Sequence, residues 1–127
     1  MNTSSADSTD IFVFGSNLAG IHGKGAAAFA ARHHNARKGI GKGRTGSAYA
    51  IPTKDRLLHV LPLEEIEQYV DEFIDYAAHH PDLDFILTPI GCGLAGYKYE
   101  QIAPLFAEAP PNVLQPIEFM DAGIFKK

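Results

Sequence analysis

Ile11, Phe12, Val13 and Phe14 form an unbroken apolar run ended by Gly15, the pattern of a strand buried on both faces rather than one that alternates. Residues 24–34, KGAAAFAARHH, are rich in helix formers with Phe29 as their main large apolar anchor, and they predict a helix whose alanines let it lie close to a sheet. Residues 35–47 carry Arg37, Lys38, Lys42 and Arg44 among four glycines and read as a mobile basic loop. Residues 49–52 predict a short strand that Pro52 ends or pushes to an edge, and residues 57–61 a second one.

The clearest helical period lies in residues 62–80. Pro62 stands at its start and Glu64 and Glu65 in its first turn, with Ile66, Tyr69, Val70, Phe73, Ile74 and Ala77 on one face. His79 and His80 fall in its last turn, where cationic residues favour the helix dipole. Residues 84–90 predict a further buried strand, residues 99–109 a helix and residues 113–119 a last strand. The order β, α, β(β), α, β, α, β predicts an α/β fold with a mainly parallel sheet and helices on both faces.

At 127 residues the chain is expected to form one domain over residues 11–120, flanked by a polar tail at 1–10 and a short one at 121–127. The balance of 46% hydrophobic and 20% charged residues is that of a soluble protein, with no apolar run long enough for a membrane span. The single Cys92 excludes an intramolecular disulfide framework and points to a reducing, cytoplasmic setting. A net charge of −4 argues against bulk attraction to nucleic acid and leaves room for a local basic patch.

Two glycine loops carry the candidate chemistry. The first follows Phe14, with Gly15, Ser16, Asn17, Gly20, His22, Gly23, Lys24 and Gly25. A glycine loop between strand and helix presents backbone N–H groups, and the helix start adds partial positive charge. The second follows Ile90, with Gly91, Cys92, Gly93, Leu94, Ala95, Gly96 and Tyr97. In a parallel sheet both loops open on the same rim, an arrangement suited to a diphosphate lying between them. Gly91, Gly93 and Gly96 also match a Rossmann fingerprint, with Glu118 about twenty residues on, which gives an alternative dinucleotide reading.

Side chains in these loops have two readings each. Asn17 can hydrogen-bond a ribose or stabilise its own turn. His22 can contact phosphate, act as a base or be structural. Cys92 can be a nucleophile or a small buried filler, and Tyr97 can stack on a ribose or base or belong to the core.

FGSNLAGIHGKGAAAFAAR resembles the strand, loop and helix that surround the distal ribose of ADP-ribose in macrodomains, and TPIGCGLAGYKYEQIAPLF resembles their phosphate-binding loop. YAIPTKD lies between them. The run IGCGL is similar in particular to the terminal ADP-ribose protein glycohydrolase branch, and the whole resembles short macrodomain-like proteins often carried by phages. The resemblance implies a three-layer α/β/α sandwich with a compact, mainly parallel sheet. It also implies recognition of ADP-ribose or an ADP-ribosylated substrate, without a cofactor, in a bacterial or phage-infected cytoplasm. In that branch a lysine at the position of Lys54 attacks the distal ribose, and an aspartate follows IGCGL; here that residue is Ala95. The extra first strand usual in macrodomains, with its adenine-contacting aspartate, has no counterpart before Ile11. Another class of function remains beside these: a non-catalytic phage accessory protein that touches nucleic acid through residues 37–44.

Overall fold

Among the described residues, five strands and four α-helices follow one another. They are β1 (Asp10–Asn17), α1 (Gly25–His33), β2 (Gly43–Thr45), β3 (Ala48–Lys54), α2 (Leu63–Ala78) and β4 (Asp84–Leu87). After these come α3 (Tyr99–Ile102), a 3₁₀ turn (Ala103–Phe106), β5 (Val113–Leu114) and α4 (Ile117–Asp121). The computed structural model describes residues 10–121. The tails expected at 1–10 and 121–127 lie outside the described residues, except that Asp10 opens β1 and Asp121 closes α4.

The strands form one sheet in the order β2-β3-β1-β4-β5. All neighbours are parallel except β2 and β3. β1 is the central strand, with Val13 opposite Tyr49 on one side and Leu87 on the other. That position explains its unbroken apolar run. Ile11 and Val13 enter one cluster with Ile66, Val70 and Phe73 of α2, while Phe14 enters another with Ala27 and Ala30 of α1 and Ala48 and Ala50 of β3. Alternate residues of a strand point to opposite faces, so the two clusters lie on opposite sides of the sheet. On the α1 side the facing residues are alanines, which brings helix and sheet close. On the α2 side they are large, and Phe73 meets Tyr49, Phe85 and Phe106 edge-on at 5.0 to 6.2 Å.

α2 follows its predicted period, with Ile66, Val70, Phe73 and Ala77 buried. Each large apolar side chain so buried contributes about 1.5–3 kcal/mol. His79 and His80 direct Nδ1 to the carbonyls of Asp75 and Tyr76 at 2.8 and 2.7 Å, which closes the last turn.

Five expectations are corrected. Residues 35–47 are not wholly loop: Gly43–Thr45 pairs with Ala48–Ala50 through a two-residue turn at Gly46 and Ser47, with Gly46 at φ +57°. β3 is an interior strand that runs on through Pro52. β2 pairs only as far as Ala50, so Pro52 lies where β3 has a neighbour on one side alone, and a missing N–H is tolerated there. Residues 57–61 are not a strand; Lys54 and Val60 bridge across a short turn instead. The expected helix over 99–109 gives way to a 3₁₀ turn at Pro104, and the expected strand over 113–119 stops at Leu114 because Pro116 starts α4.

Candidate functional site

β1, β3 and β4 run parallel, so their carboxyl ends open on one rim. A cavity of about 790 Å³ lies there. From the first loop it is lined by Gly15, Ser16, Asn17, Gly23, Lys24 and Gly25, and from the second by Gly91, Cys92, Gly93, Leu94 and Ala95. Lys54, at the end of β3, lines it as well.

The two loops approach closely at their roots, leaving little more than the room of a methyl group between Gly15 and Gly91. A Cβ on Gly15 would stand 3.4 Å from the Gly91 nitrogen, and one on Gly91, at φ +76°, would stand 3.1 Å from Ile102 Cδ1. Beyond this approach, residues of each loop line the cavity with backbone N–H groups outside the loop's own bonds. α1 begins without a side-chain cap and with no acidic residue in its first turn. Its first N–H groups, at Gly25, Ala26 and Ala27, therefore have no intrahelical acceptor. In the second loop the internal bonds run from Cys92 to the Pro89 carbonyl, Gly96 to Gly93 and Tyr97 to Gly91. The N–H groups of Gly93, Leu94 and Ala95 take no part in them. Among the described residues of the lining, Lys24 and Lys54 are the charged ones and none is a carboxylate.

The side chains of Ser16, Asn17, Thr53 and Thr88 in the cleft are already engaged. Ser16 Oγ donates to the Gly41 carbonyl, Thr53 Oγ1 to Ser16 at 3.2 Å and Thr88 Oγ1 to Val13 at 2.7 Å. Asn17 donates to the Ile21 carbonyl and accepts from its N–H, both at 3.0 Å, so it follows the turn-stabilising reading rather than presenting its whole amide to a ribose. Asp55 turns away from the cleft. Its Oδ1 accepts from the N–H groups of Leu57 and His59 at 2.8 and 2.9 Å, and Oδ2 stands 3.7 Å from His59 Nδ1. That clamp holds Leu58 at φ +68°, a left-handed backbone that costs a leucine about 1 kcal/mol. Leu58 lines the cavity.

No family model, curated protein or solved structure matches this chain. The chemistry of the cleft is therefore read from its own residues.

Gly20, His22, Gly96 and Tyr97 were expected at the ligand but are not among the lining residues. Gly20 is pressed against the basic segment, where an added Cβ would stand 2.3 Å from the Gly39 carbonyl carbon. His22 pairs Nε2 with the Arg37 carbonyl at 3.0 Å and sets its ring edge against Phe14. Its Nδ1 is buried with no hydrogen-bond partner. Gly96 turns the loop at φ +86°. Tyr97 donates its hydroxyl to the Leu61 carbonyl at 2.6 Å and packs on the α2-side core. Cys92 lines the cavity, yet burial first, then Glu100 and Glu118, pushes its thiol up to about 11. It is thus a neutral filler at physiological pH.

The basic segment also differs from expectation. Gly39 N–H donates to Gly20 at 2.8 Å, which pins the segment behind the first loop. Lys42 pairs with Glu72 at 3.2 Å, and Arg44 reaches the Gly46 carbonyl and the Tyr76 hydroxyl, so both point toward α2. The Rossmann alternative loses its geometry. α3 is a single turn of four residues, and Glu118 stands in α4 rather than at a strand end.

Sequence reasoning missed Ile21, Thr53, Leu58, Thr88 and Tyr99 as lining residues. Thr53 and Thr88 had a signal, since each closes a strand on the same rim. Leu58 had none while residues 57–61 read as a strand.

Proposed function

We propose that this protein binds ADP-ribose or a related NAD-derived nucleotide, its diphosphate lying between the two glycine loops. The close approach of Gly15 to Gly91 carries the reading, because residues of both glycine loops line one cavity beside Lys24 and Lys54. Backbone donors and lysines without a carboxylate suit a dianion and oppose a cationic ligand. The three-layer, macrodomain-like sandwich is part of the same proposal, supported by apolar clusters on both faces of a mainly parallel sheet.

The reading is binding rather than turnover. If Lys54 attacked the distal ribose, a second group would have to move protons for the leaving group and the water. Ala95 offers none and Asp55 is engaged in its own turn. Calorimetry with ADP-ribose, AMP and NAD tests the proposal: ADP-ribose binds, and Lys54→Ala weakens it by about tenfold through loss of one ion contact. Absence of heat with all three overturns it. Release of ADP-ribose from a modified protein, lost in Lys54→Ala, would overturn the restriction to binding.

A further inference from the structure

The mouth of the cleft is apolar where its floor is polar. Ile21, Leu58, Leu94 and Tyr99 all line the cavity and remain 42% to 71% exposed. They come from three separate segments: the first loop, the turn after β3, and the second loop with the start of α3. Large apolar side chains left exposed together at a cavity mark a contact surface for a ligand. Leu58 adds a second sign. Its left-handed backbone would suit glycine, yet a leucine is held there by the Asp55 clamp with its side chain lining the cavity.

Among the described lining residues, the neutral side chains that could read the edge of a nucleobase are, apart from the Tyr99 hydroxyl, otherwise occupied. The hydroxyls of Ser16, Thr53 and Thr88 donate to backbone carbonyls, and the Asn17 amide bonds Ile21 through both its oxygen and its nitrogen. Discrimination between bases comes from hydrogen bonds to their edges, whereas stacking and apolar contact accept any base because each has a π-face.

We infer that the site takes nucleoside-diphosphate sugars with little regard to the base, which Leu58, Leu94, Ile21 and Tyr99 hold by its faces. The inference rests on the proposed diphosphate site and names its ligand class.

Calorimetry with ADP-ribose and its guanine and hypoxanthine counterparts tests it. The three dissociation constants are expected to agree within about fivefold, as contact without edge hydrogen bonds allows. A double variant, Leu58→Gly with Leu94→Ser, keeps the fold, because glycine suits φ +68° and Leu94 is 71% exposed. It should weaken all three ligands by a common factor of about ten. Two results overturn the inference while leaving the diphosphate reading intact: ADP-ribose binding more than about thirtyfold tighter than the other two, or the double variant binding all three as the parent does. Failure of all three ligands to bind overturns both.

Discussion

A methyl group added at Gly41 would place a carbon 2.0 Å from the Asn17 carbonyl oxygen, so Gly41→Ala must move either the first loop or the basic segment behind it. Both are anchored, by the bond from Ser16 to Gly41 and by that from Gly39 to Gly20. Gly41→Ala is therefore expected to cost about 2–4 kcal/mol in urea unfolding. Gly93→Ala meets nothing within 4 Å and needs no left-handed backbone, so its stability should stay within about 0.5 kcal/mol of the parent. Equal losses in the two variants would contradict the packing described. The same two positions show what the sequence made legible. Glycine content marked residues 91–96 as a ligand loop and residues 35–47 only as a mobile one, and it did not show that Gly93 leaves room for a ligand while Gly41 leaves room for the chain itself.

At the scale of elements, β1, α1, α2 and β4 were legible because each carries its pattern within its own residues. β2 and α4 were not, since three and five residues are too few to show a period, and their signals lie in the Gly46-Ser47 turn and in Pro116. The floor of the cleft followed from parallel strands sharing a rim. Its apolar mouth did not, because Leu58 is placed by a carboxylate that bonds two and four residues ahead.

The junction of α1 with the β2–β3 turn gives a pH prediction. His34 stacks on Phe12 at 4.8 Å, and burial, with the nearby His33, lowers its pKa from the ordinary 6.5. A lowered native pKa means that the unfolded chain binds more protons, so this contribution is full above pH 6.5 and is lost as pH falls through the native value. The urea midpoint should fall as the solution is acidified below pH 6.5, and the fall should be smaller in His34→Gln. An unchanged slope would remove His34 from the effect.

For the whole molecule the charges are divided. The chain is net negative at −4, while among the described residues the cleft lining carries Lys24 and Lys54 and no acid. A bound dianion should therefore raise the unfolding temperature, with a shift that grows with nucleotide concentration and shrinks with added salt. Scanning calorimetry at about 50 and 500 mM salt checks this, and a shift independent of salt would argue against an anion in the cleft. No helix among the described residues is long and apolar enough to cross a membrane, and no group of three or more His, Cys, Asp or Glu among them could hold a metal ion.

The position of β1 has a consequence during synthesis. It is the first of the described strands to be made and has a neighbour on each side, with Phe12 set opposite Ala48 and Ile86. One neighbour is translated 36 residues later and the other 74 residues later, the differences 48 − 12 and 86 − 12. At about 5–20 residues per second, its second edge stays open for several seconds after it leaves the ribosome. Until β3 follows, the apolar run at residues 11–14 has none of its described partner strands to join, and until β4 follows it has a partner on one side alone. Shielding of this segment by a chaperone, rather than the final stability of the domain, would then govern how much protein a cell recovers.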